Sequence, residues 1–373
     1  MRAERVLVVG GGLAGLSVGI ALRRAGCHVE IVEKAVQWAE IGAGMYLPGN
    51  AHRAMDALGV GSQVRDQSFL IRNQVFMDHR GRTLADVDLG EYWSGVGPCL
   101  AITRADLHHA IGEALKGADL RLGVEVVSIS QLEDSVRVDL SDGSSGDYQL
   151  LVGADGIHSS IRGLSGMGTA PREVGQVSWR FIADGFAEIT EWAVMIGRHK
   201  SLLAIPLPEG RVYCYLDVAS ESGEDPTQGN LDRLTELFDD FAPPSSDLIR
   251  AGIETGTVHF GPIEEVVIDD WVNGRIVLVG DAAHATSPNM AQGAAMAFED
   301  AQVLGESLTL HGTVEEALAS YVGRRLPRIR WVQEQTHRRD RIRYMPAPVR
   351  NLSLRVAGRR IYRTNYDPLR VMW

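Results

Sequence analysis

Apolar residues fall in three regimes along the chain. Near the start, Arg5 to Val9 is an apolar run closed by glycine, the pattern of a strand buried in a parallel sheet. Leu13 to Ala25 carries its apolar residues at helical spacing, and His28 to Glu33 reads as a second strand, so the chain opens as a βαβ unit. In the middle the runs shorten. Gln74–Met77, Val124–Ile129, Val136–Leu140, Ser201–Ile205 and Val212–Leu216 look like strands, separated by turn pairs such as Asp142-Gly143 and Glu209-Gly210. Leu231 to Phe241 predicts a helix stopped by Pro243-Pro244. Arg275 to Val279 is again a buried strand, and helix follows from about Gln292. Beyond Thr313 the pattern is helical, with breaks expected at Pro327, Pro346 and Pro348.

This order predicts an α/β fold: a Rossmann-like domain interrupted by a mainly antiparallel β domain, with helices at the C-terminus. The boundaries expected are 1–66, 98–168 and 271–310 for the nucleotide-binding domain, 67–97 and 169–270 for the β-rich domain, and 311–373 for the helical segment. A length of 373 residues suits two packed domains.

Composition narrows the classes. No apolar stretch nears the roughly 20 residues of a membrane helix, and no signal peptide is expected. Cys27, Cys99 and Cys214 are odd in number and far apart, which fits a reducing cytoplasm rather than a disulfide framework. A net charge of -11 argues against nucleic-acid binding. The charge is uneven: residues 337–373 hold ten Arg against Asp340 and Asp367, or +8, leaving -19 on the rest. Such a segment docks on an acidic body, faces solvent, or attracts an anionic ligand.

The chemistry begins at Gly10-Gly11-Gly12-Leu13-Ala14-Gly15, a GxGxxG between strand and helix. Gly10 allows the tight turn, Gly12 the approach of a pyrophosphate, and Gly15 close packing of helix on strand. The helix start, with Leu13 and Ala14, offers unpaired N–H groups to phosphate. Glu33, followed by Lys34, ends the next strand where a carboxylate meets ribose hydroxyls, favouring FAD or NAD over NADP at this site. A second element is Gly153-Ala154-Asp155-Gly156 after an apolar run. A third is Gly280-Asp281 after a buried strand, then Pro288 to Gly293, where glycine and proline prepare a helix N-terminus able to hold negative charge. No second GxGxxG precedes a helix, so a separate nicotinamide-binding Rossmann domain is not expected.

With these motifs in order, together with Arg104 and Leu107 and the Gly42-Ala43-Gly44 to Asn50-Ala51 stretch, the chain resembles the single-component FAD-dependent aromatic hydroxylases, the para-hydroxybenzoate hydroxylase-like family. The resemblance spans about Arg5 to Arg330. It implies noncovalent FAD, NADH or NADPH as a transient reductant, and O2. It implies oxygen delivery from a C4a-hydroperoxyflavin to a small aromatic or heteroaromatic ring, by a monomer or homodimer. It also leaves room for epoxidation, decarboxylating hydroxylation or an inert FAD-binding scaffold.

By the same resemblance Glu33 would bind ribose, Arg104 would lie by the pyrophosphate, Asp155 would link FAD to the nicotinamide and Asp281 would hold the ribityl chain. Gly44, Pro288, Ala291, Gln292 and Gly293 would border the flavin ring. The family's Gly-Gln-Gly reads Ala291-Gln292-Gly293 here. Ala keeps the amide, so little is lost unless φ must be positive there. Pro48-Gly49-Asn50 places its proline one residue early, beside Tyr46.

Tyr213 and Tyr46 are the candidate substrate contacts. Tyr213 and Tyr215 share a strand face, and the stretch Ser201–Tyr215 is similar to that of urate hydroxylases, which carry Arg at the position of Ser201. Trp179-Arg180 and Trp192 could reach substrate, although aromatic residues in such a β-rich stretch are more often core; Cys214 reads as a core or pocket-wall thiol, His284 as a loop-positioning residue, and His108-His109 as no metal site.

Overall fold

The computed structural model describes residues 4–38, 43–168 and 170–372, so Gly42 lies outside the described residues. A six-stranded sheet organises the nucleotide-binding side. Its order is Val272–Asn273, Ile276–Leu278, Leu150–Gly153, Arg5–Val9, His28–Glu33, Asp119–Leu122, parallel except for the first strand. Val6, Leu7, Val8, Leu150, Leu151, Val277 and Leu278 are fully buried, as continuous apolar runs in a doubly covered parallel sheet require. Helix Leu13–Arg24 covers one face and packs on helix Gly293–Leu310 so closely that a Cβ on Gly305 would lie 3.0 Å from the Ala21 Cβ.

A seven-stranded sheet forms the other side: His259–Glu265, Arg172–Ala183, Val212–Ala219, Lys200–Pro206, Trp192–Ile196, Asn73–Asp78, Thr83–Asp88. All its pairs are antiparallel except Trp192–Ile196 with Asn73–Asp78. Alternation decides its two faces. Trp179, Phe181, Leu202, Ala204, Cys214 and Leu216 point one way, into a core shared with Leu234, Phe238 and Leu248. Ser178, Arg180, Ser201, Leu203, Tyr213, Tyr215 and Asp217 point the other way, toward the nucleotide-binding side. A smaller sheet, Val126–Gln131, Val136–Leu140 and Ser145–Tyr148, stands apart from the site.

Two helical expectations need correction. The helix predicted over Leu231 to Phe241 spans Asp232–Leu237, because Phe238 leaves helical geometry; a separate helix Ser245–Glu254 follows the prolines. Pro327 does not break its helix, which runs unbroken over Val314–Arg343. The one lost hydrogen bond is outweighed by anchors on both sides, where Arg325, Ile329 and Val332 are buried against the body. The break comes instead before Pro346, the N-cap of a last helix, Ala347–Arg370, whose Pro348 sits in the first turn where proline is tolerated.

Candidate active site

The strand Arg5–Val9 delivers the chain into Gly10 at φ +110°, where any Cβ would strike the Ala154 carbonyl; only glycine fits. Gly15 lies against Gly10 in the same way. Helix Leu13–Arg24 starts at Gly12, which has no side chain to cap it. Its first amides therefore lack an intrahelical partner. Gly12, Leu13 and Ala14 line a cavity of about 700 Å³, and a Cβ on Gly12 would meet nothing within 4 Å. Open space thus lies directly over a positive helix end, which fits a pyrophosphate. Glu33 accepts the Gly11 amide at 2.7 Å and the Ala35 amide at 2.8 Å, so it both holds the turn and brings a carboxylate to it. Lys34 is exposed and off the cavity.

Across the sheet, Asp281 opens a short helix, Asp281–His284, and lines the same cavity. Behind it lies an ionic network centred on the fully buried Glu299, Asp300 and Arg325. Asp300 accepts the Gly280 amide at 2.9 Å, meets His284 Nε2 at 2.6 Å and accepts Arg325 Nε at 2.7 Å. Arg325 also reaches Glu299 at 2.6 Å, and Glu299 accepts Arg328 Nε at 2.7 Å and Asn50 Nδ2 at 3.0 Å. Burial pushes the Asp300 carboxyl up, but His284 and Arg325 outweigh it and hold it below the ordinary value. His284 is thus a positioning residue for the Gly280-Asp281 turn.

Asn50 also donates to Gln292 Oε1 at 3.0 Å, which buries the Gln292 side chain in this network rather than in the cavity. Its neighbours Pro288, Ala291 and Gly293 do line the cavity, from the turn Pro288–Met290 into helix Gly293–Leu310. Ala291 sits at φ +49°, ψ 40°. The condition under which alanine would matter is met, so little loss was the wrong expectation: a Cβ here is strained in the left-handed region.

The Asp155 carboxylate turns away from the cavity. It accepts Ser159 Oγ at 2.5 Å, the Ser160 amide at 2.7 Å and the Ile161 amide at 3.1 Å, capping helix Ser160–Leu164. Its neighbours Ala154 and Gly156 are the ones that line the cavity. Arg104 begins helix Arg104–Glu113 and lines the cavity too, its backbone amide bonded to the Ala43 carbonyl at 3.1 Å.

The roof is the inward face of the seven-stranded sheet. Tyr213 is 9% exposed and lines the cavity, and among the described residues its hydroxyl has no hydrogen-bond partner. Burial pushes its phenol up to about 12, against smaller opposing pulls from Arg180 and Arg104. Tyr46 contributes its ring, 4.2 Å from the Trp192 ring between centroids. The Tyr46 hydroxyl is buried without a hydrogen-bond partner, and burial with the Cys99 thiol beside it raises its pKa well above the ordinary value. Ser201 donates to Asp217 at 2.7 Å. Asp217 in turn is ion-paired to Arg343 from the end of helix Val314–Arg343, and all three line one end of the cavity.

Trp192 and Arg180, which the sequence left between substrate contact and core, both line the cavity, and Arg180 is exposed with no partner among the described residues. Only strand register could have shown this: Arg180 pairs with Tyr215 and so shares its face. Arg343 and the inward side of helix Ala347–Arg370, with Leu354, Gly358, Ile361 and Tyr362, close the far wall. Nothing local in the sequence marks them.

The family described as FAD binding domain matches residues 3–336. The chain is similar to the aurachin C monooxygenase/isomerase of Stigmatella aurantiaca, 33% identical over 87% of this chain and 85% of the relative. It is similar to the 3-hydroxybenzoate 6-hydroxylase of Klebsiella oxytoca, 32% identical over 94% and 92% of the two chains. Its fold matches the crystal structure of Klebsiella pneumoniae HpxO complexed with FAD and uric acid, with a TM-score of 0.89 and 27% identity over 98% of this chain and 96% of that one.

Proposed function

This chain belongs to the FAD binding domain family, and from that premise we propose that it seats a planar aromatic or heteroaromatic substrate beneath Tyr213. It is an FAD-dependent monooxygenase, a single-component aromatic hydroxylase that takes electrons from NAD(P)H and oxygen from O2. The residues present suit the cofactor. The Leu13 and Ala14 amides would hold the pyrophosphate, Glu33 the ribose, and Asp281 the ribityl chain, while Pro288, Ala291 and Gly293 would flank the ring system. FAD, when bound, supplies the redox chemistry and the activated oxygen.

The chain's own residues orient the substrate and exclude water. Tyr213 presents a neutral, unpartnered phenol that can donate to a substrate heteroatom or accept from its hydroxyl. Trp192, Tyr46, Leu203 and Ile205 build an apolar wall that keeps the reacting region dry. At the far end Ser201 spends its proton on Asp217, leaving its lone pairs to accept from a substrate N–H or O–H. The single observation carrying this reading is Tyr213, a largely buried side chain in the cavity wall whose hydroxyl has no protein partner among the described residues.

An oxygen-electrode screen of phenols, aminobenzoates, pyridines and quinolones with each nicotinamide tests it. NAD(P)H oxidation is expected to be slow alone and to rise with a fitting ring. If no aromatic compound changes the basal rate, the substrate reading fails.

A further inference from the structure

We propose that the corner where helix Val314–Arg343 turns into helix Ala347–Arg370 docks on the surface of an anionic phospholipid bilayer. The last helix has two unlike faces. Leu354, Gly358, Ile361 and Tyr362 look inward and line the cavity, and Arg350, 2% exposed, donates to the carbonyls of Ile196 and Gly197. Val349, Leu352 and Val356 look outward and are 50%, 63% and 79% exposed. Their spacings of three and four residues set them on one helix face. Tyr344 at the corner is 52% exposed, with exposed Pro346 and Pro348 beside it. One exposed valine needs no explanation, but a run of apolar side chains at one protruding corner does.

The charges around this corner identify the occupant. Arg341, Arg355, Arg359 and Arg360 are all exposed. Arg355 and Arg360 have no partner among the described residues, and Arg359 reaches only the Asp86 carbonyl. A two-fold contact between copies through this corner would set one row of arginines against the other. An anionic bilayer answers both features at once: aliphatic side chains and Tyr344 enter the headgroup boundary while guanidinium groups meet phosphate. No helix among the described residues is long and apolar enough to cross a membrane, so the contact is a surface one. Because the other face of the same helix lines the cavity, docking would bring the cavity wall up to the bilayer.

The test is co-sedimentation of the FAD-loaded enzyme with vesicles of phosphatidylcholine alone and of phosphatidylcholine with phosphatidylglycerol in equal parts. Pelleting should be about tenfold greater on the anionic vesicles and should fall as salt is raised. The double variant Leu352→Glu/Val356→Glu should lose vesicle binding while keeping FAD content and basal NAD(P)H oxidation. Arg355→Gln/Arg360→Gln should lose the preference for anionic lipid. A wild-type enzyme that ignores anionic vesicles, or a Glu variant that binds as before, overturns the proposal. So does a dimer in sedimentation velocity that the Glu variant dissolves without any vesicle binding, since the corner then belongs to a second copy.

Discussion

The Tyr213 side chain lies directly on Gly44: a Cβ at residue 44 would fall 2.5 Å from the Tyr213 Cβ and 2.7 Å from its Cγ. Strand Gly44–Leu47 can pass under the roof only because residue 44 has no side chain. Gly44→Ala must therefore push Tyr213 off its place. The expected result is a loss of about 1–3 kcal/mol in stability, the usual range for overpacking, with kcat/KM reduced beyond what the lower folded fraction explains. A fully active, equally stable Gly44→Ala enzyme would show that Tyr213 does not need this seat.

Tyr213→Phe keeps the ring and removes the unpartnered hydroxyl. If that hydroxyl holds the substrate, kcat/KM falls by about tenfold, equivalent to about 1.4 kcal/mol. FAD content and Tm should barely move, because no protein hydrogen bond is lost. An unchanged kcat/KM would return Tyr213 to a packing role.

The pH dependence follows from burial. Tyr213 has its pKa raised in the folded state, to about 12 against about 10 for a free tyrosine. Its contribution to stability is therefore fully present below pH about 10 and is lost as pH rises toward 12. Within the neutral range it stays a protonated donor. The kcat/KM profile of wild type and Tyr213→Phe should differ in height and keep the same shape up to about pH 10. A rise in kcat/KM with pH below that value that vanishes in the variant would mean Tyr213 acts as an anion.

Ala291 occupies a left-handed backbone position at φ +49°, where a Cβ costs roughly 1–2 kcal/mol. Ala291→Gly relieves that strain but adds freedom to the unfolded chain, so a net gain of about 0.5–1 kcal/mol is expected. The melting temperature should rise by about 1 °C. A fall would show that the loop holds Ala291 without strain.

Asp300 and Arg325 are both fully buried, whereas the Arg330–Asp269 pair lies on the surface. Removing one partner of a buried pair leaves an uncompensated charge and costs about 3–5 kcal/mol; an exposed pair is worth about 0–1 kcal/mol. Asp300→Asn should lower the urea midpoint far more than Arg330→Ala. It should also weaken FAD binding, because Asp300 holds the Gly280 amide and His284 beside Asp281. Equal effects of the two substitutions would remove the network from any role in the site.

The sequence by itself determined the nucleotide-binding half. Strand boundaries at Arg5–Val9 and His28–Glu33, the glycine turn and the Gly280-Asp281 turn were legible because they depend on local rules: runs of buried apolar residues, backbone that only glycine allows, and an acid at a strand end. The pairing of Tyr213 with Tyr215 on one face was legible for the same reason, since alternation along a strand is local. Which face looks into the cavity was expected only through the family resemblance at Tyr213; the tertiary structure set Arg180 and Trp192 in the cavity wall with it. It alone spent the Asp155 carboxylate on a helix cap, drew Gln292 into a buried network with Asn50, and carried Arg343 across to Asp217 from 126 residues away. These are long-range pairings between groups whose local sequence is ordinary. Their partners are selected by how the two sheets and the last helices close on one another, and no periodicity along the chain records that closure.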